Sequence, residues 1–402
     1  MRPATGAYPV RSARRWLTVA AATFAIAWGG NEFTPLLVMY RVHDGFSAVT
    51  VDLLLFAYVL GIVPALLIGG PLSDRFGRRP LMLPAPVLAA IGSLILATGA
   101  HSAAMLATGR VFSGLALGLA MAVGGSWIKE LSSPPWENGD AGARRAAMSL
   151  TAGFGLGAGV AGVLAEWGPA PSVLPYTLNI AMALGAAALL LTAPETRARH
   201  DTGQPLWTDL ALPGASHRRF VLVVMPVAPW VFGAGASAYA VLPALMSDHV
   251  SAAPIAFSAL LCAVTLGVGF SVQHFGRNLV SGRAGVLVAM AFVVAGMAVA
   301  VWAAAALTVW ASVVAAAVLG AGYGMALLAG LQEIQRIAGP DDLAGMTAVF
   351  YSLCYLGFGV PAAMAFLSHW VSYPVMFGFG VVAAGLSLVV AVAGSQRVPA
   401  IN

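Results

Sequence analysis

The sequence predicts an all-α integral membrane protein in which twelve transmembrane helices form two pseudo-symmetric six-helix bundles. Three observations support this fold class. Hydrophobic residues make up 60% of the 402 positions and charged residues only 9%, apolar stretches follow one another along almost the whole chain, and two short features recur in the second half. Soluble domains are about 45–50% apolar and about 25% charged. The 20 basic and 15 acidic side chains cannot cover a water-soluble fold of this length.

Apolar stretches of roughly 20 residues are long enough to cross a hydrocarbon core of about 30 Å. The first predicted span follows Arg2, Arg11, Arg14 and Arg15, as a secretory signal would, but it is too long for a signal and lacks a small-residue cleavage site. We therefore expect a retained helix. The twelve predicted spans are 16–40, 51–71, 81–100, 104–128, 146–167, 173–192, 220–244, 255–273, 284–304, 308–330, 345–367 and 373–393.

Basic residues predict the orientation of these spans. Twelve crossings place both termini on one side, and every Lys and Arg except Arg41 and Arg110 lies in the termini or loops of that side. Such an excess marks the cytoplasmic face, so we expect a bacterial-type inner-membrane protein with both termini in the cytoplasm. The formal charge of +5 then reflects topology, and no nucleic-acid partner is expected.

A long polar segment and two recurring features predict a duplicated unit. The segment 193–219 separates six spans from six, Phe275-Gly276-Arg277 repeats Phe76-Gly77-Arg78, and Met346-Thr347-Ala348 resembles Met148-Ser149-Leu150 at nearly the same offset. Internal symmetry of this kind builds a central site between two halves in many secondary transporters. We predict an N-terminal bundle at 1–192, a cytoplasmic linker at 193–219 and a C-terminal bundle at 220–402.

The loop between spans two and three carries the most specific motif. It reads Gly70-Pro71-Leu72-Ser73-Asp74-Arg75-Phe76-Gly77-Arg78-Arg79-Pro80. Its glycines permit a tight turn and close helix contact, and its arginines hold the loop at the inner face. Taken alone, such a loop is also what an ordinary basic hairpin looks like.

The full string resembles, position for position, the loop 2-3 signature of the major facilitator superfamily, and 269–277 resembles a degenerate second copy in which Gln273 and His274 replace Asp74 and Arg75. The resemblance implies two bundles that rock around a central cavity, with a charge cluster that latches the cytoplasmic side. Glu130, next to Lys129, is the matching acid of that cluster, although it also fits an ordinary surface acid. The expected latch residues are Gly70, Asp74, Arg75, Gly77, Arg78, Arg79, Glu130, Gly276 and Arg277.

Two charged residues lie well inside spans. Glu32 lies roughly 12 Å from the outer end of helix 1, and Arg110 lies roughly 9 Å into helix 4 from the same outer side, at 1.5 Å per residue. Ionisable residues within a span are costly and usually face a cavity or a partner. Opposite charges at similar depth are expected to meet if helices 1 and 4 are neighbours, as the resemblance implies. They then form either a proton-coupling pair or a permanent structural ion pair.

Further motifs resemble those of exporters within the superfamily. Arg110 with Gly114 and Gly118 is similar to the fourth-helix signature linked to proton coupling, and Asn31-Glu32-Phe33 is similar to a first-helix acidic motif of drug and metabolite exporters. The glycine-rich fifth span, with Gly153, Gly157 and Gly162 among others, lacks the Gly-Pro step of the exporters, so generic helix packing is the better interpretation there.

Polar and aromatic residues within the spans complete the predicted site. We expect a substrate cavity lined by Asn31, Asn179, Trp230, Tyr239, Tyr323 and Tyr355, although packing or interfacial roles suit each of them individually. Helix 7, which contains Pro226, Pro229 and Gly233, is expected to bend near the pathway. Glu333 and Arg336 are expected to be solvated loop charges.

The sequence lacks a phosphate-binding loop, metal-ligand spacing and a hydrolase triad, so we predict no enzyme, no metal and no cofactor beyond a proton gradient. The leading hypothesis is a proton-coupled exporter of a drug or small metabolite, functional as a monomer in the lipid bilayer. Proton-coupled uptake is the nearest alternative, and a non-transporting receptor or scaffold is a hypothesis from another class.

Overall fold

A computed structural model describes residues 14–134, 136, 141–199, 216–276, 284–339 and 342–397. In these residues the fold is helical, and twelve long helices account for it. They are α1 Trp16–Val42, α2 Ala48–Phe76, α3 Arg78–Thr98, α4 Ala103–Leu131, α5 Gly142–Trp167, α6 Leu174–Leu190, α7 Phe220–Met246, α8 Pro254–Phe275, α9 Gly285–Ala306, α10 Val309–Ile337, α11 Leu343–Leu367 and α12 Tyr373–Arg397. All twelve predicted spans are present as helices.

Ten of these helices are long and apolar enough to cross a membrane. Of the other two, α6 has 17 residues, and α1 has 27 residues but carries Asn31 and Glu32 among its glycines. Large apolar side chains such as Leu60, Leu156 and Phe379 are exposed on the outside of the bundle, where lipid would cover them. The chain is therefore a multi-pass membrane protein.

Local sequence explains where several helices begin and bend. Ser47, Ser102 and Thr308 each cap a helix, because the side-chain oxygen accepts the backbone N–H three residues later. A π-helical turn at Ser237–Val241 interrupts α7, and another at Ala120–Gly124 interrupts α4. Such turns rotate the side chains that follow them and are frequent at functional sites.

Helix packing in the two halves follows one pattern. In the first half α1 packs on α5, α2 on α4, and α3 on α4 and α6; in the second half α7 packs on α11, α8 on α10, and α9 on α10 and α12. Gly61 and Gly114 allow the backbones of α2 and α4 to touch, as Gly269 and Gly324 do for α8 and α10. This confirms the predicted pseudo-symmetric fold. The bundle boundaries at 192 and 220 stay a prediction, and 200–215 of the linker lies outside the described residues.

The halves meet through α5 with α8, α2 with α11, and α1 with α8. Here we call the end that carries the loop of residues 72–80 the basic end. At the opposite end, Glu166 of α5 accepts hydrogen bonds from the backbone N–H groups of Ile255 (2.7 Å) and Ala256 (2.9 Å), which begin α8. A carboxylate at a helix N-terminus is favourable. Gly162 lies against Ala259 nearby, so α5 and α8 are joined tightly at that end.

Candidate functional site: a cavity between the two halves

A cavity of about 160 Å³ lies between the halves and is lined by α1, α2, α4 and α5 from one half and by α7, α8, α10 and α11 from the other. These are equivalent helices of the two repeats. From the middle of the bundle the lining extends towards the basic end, reaching Ala147 near the start of α5 and Gln273 near the end of α8. Each half contributes four helices to this site, as a central site between two rocking bundles requires.

Aromatic rings form much of the cavity wall. Phe232 of α7 stacks on Tyr355 of α11 at a centroid distance of 4.6 Å and lies 5.9 Å from Tyr323 of α10. Tyr239 lines the cavity from the π-helical turn of α7, and Met121 lines it from the π-helical turn of α4. Four of the six residues predicted for the cavity, Asn31, Tyr239, Tyr323 and Tyr355, therefore do line it.

The other two predicted cavity residues lie elsewhere. The indole N–H of Trp230 donates to Ser387 Oγ of α12 at 3.0 Å, because Trp230 is on the face of α7 turned away from the cavity. Asn179 of α6 is fully buried between helices, donates to the carbonyl of Ala25 at 2.8 Å and accepts from Ser93 at 2.8 Å. Assigning either residue to the cavity wall was wrong.

Arg110 is the charged residue of the cavity wall. Its guanidinium carbon lies 4.0 Å from the ring centroid of Tyr58 and 4.6 Å from that of Phe33, and Nη1 donates to the carbonyl of Gly30 at 3.3 Å. Arginine over aromatic faces is favourable, more so when it is desolvated, and Arg110 is only 1% exposed. Gly30 permits this arrangement, because a Cβ there would collide with the Tyr58 hydroxyl.

Glu32 is fully buried but points away from the cavity. Its Oε1 accepts a hydrogen bond from Ser93 Oγ of α3 at 3.2 Å, and its Oε2 has no partner in the described part of the chain. No nitrogen of Arg110 lies within 4.0 Å of the carboxylate. The expected contact between the two charges is therefore wrong. They do lie on neighbouring helices and within reach of each other's charge, but Glu32 binds Ser93 of α3, whereas Arg110 lies over the Tyr58 ring of α2 and lines the cavity.

At the basic end, the predicted latch residues do come together in part. Arg78 binds Asp74 through Nη1 at 2.9 Å and Glu130 through Nη2 at 2.7 Å, and it also donates to Ser73 Oγ at 2.8 Å. Arg78 is buried, whereas Asp74 and Glu130 are partly exposed. Glu130 thus belongs to the loop cluster and is not an isolated surface acid.

The remaining latch residues have different surroundings. Gly77 has φ = +100°, a conformation that favours glycine, and Arg79 donates to the carbonyl of Leu191 at 2.7 Å. Arg75 lies beside the Phe76 ring. Gly70 borders open space, so the expected close helix contact at Gly70 was wrong; Gly69 makes it instead, against Leu119 and Ala122. Gly276 ends α8, and Arg277 lies outside the described residues.

Sequence reasoning missed Glu195, which completes this cluster. Its carboxylate accepts the backbone N–H groups of Arg78 and Arg79, both at 2.9 Å, and those of Thr196 and Arg197. Burial alone would raise the pKa of Glu195, but these backbone hydrogen bonds outweigh it and hold the pKa below its ordinary value. The only sequence signal was an acid directly after span six.

The second half has a charge cluster of its own at the same end. Glu333 near the end of α10 binds Arg219 at 2.7 Å and Arg336 at 2.6 Å. Glu333 and Arg219 are 3% and 4% exposed, so the expectation of solvated loop charges was wrong for Glu333. The reason is that α10 continues to Ile337, which keeps Glu333 inside the helix bundle.

Comparisons with known proteins agree with this architecture. The family model described as Major Facilitator Superfamily matches residues 17–360. A chloramphenicol resistance protein of Pseudomonas aeruginosa is 26% identical over 392 residues, covering 92% of this chain and 88% of that protein. A bacillibactin exporter of Bacillus subtilis (strain 168) is 25% identical over 155 residues, covering 38% of this chain and 39% of that protein.

Solved structures share the fold at low sequence identity. A POT family transporter in complex with 5-aminolevulinic acid superposes with a TM-score of 0.77 at 11% identity, covering 96% of both chains. A D-xylose-proton symporter superposes with a TM-score of 0.72 at 16% identity, covering 96% of this chain and 97% of that one. At these identities the likeness shows the fold.

Proposed function

Because this chain belongs to the Major Facilitator Superfamily, and is accordingly a membrane transporter and not an enzyme, we propose that it exports a drug or small metabolite in exchange for protons. The observation that carries the proposal is the cavity built from equivalent helices of both halves, with a buried acid and a buried arginine beside it. Ionisable residues in such positions commonly form proton pathways. The names of the two relatives, a resistance protein and an exporter, support export over uptake.

In this mechanism α1 connects the proton site to the substrate site. Glu32 and Gly30 are on the same helix, and Arg110 of the cavity wall binds the Gly30 carbonyl. Protonation of Glu32 would change its contact with Ser93 and so the position of α1 relative to α3. Because Arg110 is bound to the same part of α1, that shift would alter the cavity wall. The coupling therefore passes through α1 and needs no direct ion pair.

The two ends of the bundle would supply the gates. At the end opposite the basic end, Glu166 holds the start of α8, whereas the cavity extends towards the basic end. The cluster of Asp74, Arg78 and Glu130 would reorganise as the halves rock. With the basic end in the cytoplasm of a bacterial-type cell, the cavity extends towards the side from which an export substrate would load.

The test is transport by Glu32→Gln in proteoliposomes, with labelled chloramphenicol as the first probe. Wild type should accumulate it against its gradient when a pH gradient is imposed, and only in the direction of export. Glu32→Gln should lose accumulation but retain counterflow without a pH gradient, which also shows that the variant is folded.

Asp52→Asn is the matched control, because Asp52 is also a buried acid within a helix but is not among the residues that line the cavity. It should keep gradient-driven transport. Undiminished accumulation by Glu32→Gln would refute the role of Glu32, and accumulation in the uptake direction would refute export.

A further inference from the structure

The cavity wall has an unusual balance of charge. Nine of its 22 lining residues are aromatic, Arg110 is charged, and none is a carboxylate. The other polar groups are tyrosine hydroxyls, two threonines and the amides of Asn31 and Gln273. The nearest buried acid, Glu32, binds Ser93 on the other side of α1. A ligand in this cavity therefore meets a positive group and many ring faces.

Two fully buried hydrogen-bonding atoms of this wall lack a partner in the described residues. They are Nε of Arg110 and the hydroxyl of Tyr58. Both side chains line the cavity, and they are 1% and 3% exposed. An unsatisfied buried polar group is costly, by more when it is charged. A ligand that supplies an acceptor oxygen would relieve this cost.

The geometry of the two groups limits what such a ligand can be. The guanidinium lies 4.0 Å from the ring centroid of Tyr58, so Arg110 Nε and the Tyr58 hydroxyl belong to one stacked unit. Phe232, Tyr355 and Phe358 form a cluster of rings on the opposite half, with centroids 4.6 to 5.6 Å apart. A flat ring fits against such faces.

We propose that the cavity selects planar aromatic compounds that are anionic or neutral and carry an acceptor oxygen, which binds Arg110 Nε and the Tyr58 hydroxyl, and that it rejects lipophilic cations. This proposal takes one premise from the proposed function, namely that the cavity is the site that binds the transported compound. Opposite charge between ligand and site favours anions, and like charge disfavours cations in a desolvated site.

The experiment measures binding of three probes that share one ring system to the purified full-length chain in nanodiscs, without a pH gradient. The probes are 2-naphthoate, 2-naphthamide and a 2-naphthylmethyl trimethylammonium salt, and the readout is isothermal titration calorimetry. Naphthoate should bind most tightly, naphthamide more weakly, and the cation at least about tenfold more weakly than naphthoate, since a charged hydrogen bond is worth tenfold or more in affinity.

Two variants locate the effect. Arg110→Gln should weaken naphthoate about ten- to a hundredfold and remove the preference over the cation. Tyr58→Phe deletes only the unpartnered hydroxyl, so it should weaken naphthoate several-fold without loss of folding, even if Arg110→Gln does not fold. Tyr373→Phe is the matched control, because Tyr373 begins α12 and is not among the residues that line the cavity, and it should keep the order of the probes.

Equal or tighter binding of the cation by wild type, no binding of either naphthoate or naphthamide, or an unchanged naphthoate affinity in Tyr58→Phe would each overturn the proposal. The outcome is separate from that of the proton-coupling test. Loss of coupling with the probe order intact would refute the proposed mechanism and leave the ligand class standing. Intact coupling with a preference for the cation would refute the proposed ligand class and leave the proposed mechanism standing.

Discussion

The two halves of this transporter each bury an arginine against a glutamate at the basic end, but the two clusters are built differently. In the first-half cluster, Arg78 is bound by two carboxylates, Asp74 and Glu130. In the second-half cluster, Glu333 binds both Arg219 and Arg336. The glutamate lies near the end of the fourth helix of each half, whereas the arginine is the first residue of α3 in one half and directly precedes α7 in the other.

This difference indicates different tasks. The second copy of the loop has Gln273 in place of Asp74, and Gln273 lines the cavity. In the second-half cluster, Arg219 binds Glu333 of α10 and donates to the Ser395 carbonyl of α12, so the cluster ties the start of α7 to α10 and α12 in the interior. The first-half cluster has exposed members and joins a loop, α4 and the segment after α6. We interpret the second as a fixed structural link and the first as the one that can rearrange.

The largest effect is expected from Glu333→Ala. Removal of this carboxylate leaves Arg219 buried and Arg336 beside it without their shared acid, and breaking a buried ion pair typically costs about 3–5 kcal/mol. Denaturant titration in mixed micelles should show a loss of this size. A loss below about 1 kcal/mol would contradict the interpretation of a structural link.

Glu130→Ala is the matched change in the first half and should have a smaller effect. Arg78 keeps Asp74 and Ser73 as partners, and Glu130 is 30% exposed, so a loss of about 1–2 kcal/mol is expected. The same titration measures it. If Glu130→Ala destabilises the protein as much as Glu333→Ala does, the two clusters do not differ in the way we describe.

Arg336→Gln separates the two arginines of the second-half cluster. Arg336 is 28% exposed and three residues from Glu333 on the same helix, and pairs of this kind contribute about 0.5 kcal/mol. We expect a small loss of stability, with Arg219 still bound to Glu333. A loss as large as that of Glu333→Ala would show that Arg336, and not Arg219, carries the link.

The smallest effect concerns pH and Glu195. Its pKa is lower in the folded protein than its ordinary value, so the stabilisation is fully present above the unfolded pKa of about 4.3 and is lost as pH falls through the folded pKa. At about pH 7 the melting temperature of wild type should therefore be higher than that of Glu195→Gln. The difference between the two melting temperatures should shrink below about pH 4. Melting curves across this range measure the difference, and a constant difference would exclude a role for the Glu195 charge.

The fold was largely predictable, and the site only in part. Long apolar stretches have few alternatives to spanning helices, because backbone groups in lipid must be hydrogen-bonded within the segment. The loop string around Asp74 and Arg78 is local, whereas Glu130 was expected beside it only because the superfamily resemblance implies it, with an ordinary surface acid as the alternative. Glu195, Glu166 and the pairing of Arg219 with Glu333 involve residues far apart in sequence, and no local pattern predicted them.

The sequence by itself determined that Glu32 and Arg110 are the charges deepest in the spans, because apolar length fixes depth along a helix. Only the tertiary structure decided which way each of them points. Successive residues on a helix are rotated by about 100°, so Asn31 lines the cavity while Glu32, the next residue, contacts Ser93 of α3. Which neighbour a side chain meets depends on packing between distant segments, and depth alone carries no information about it.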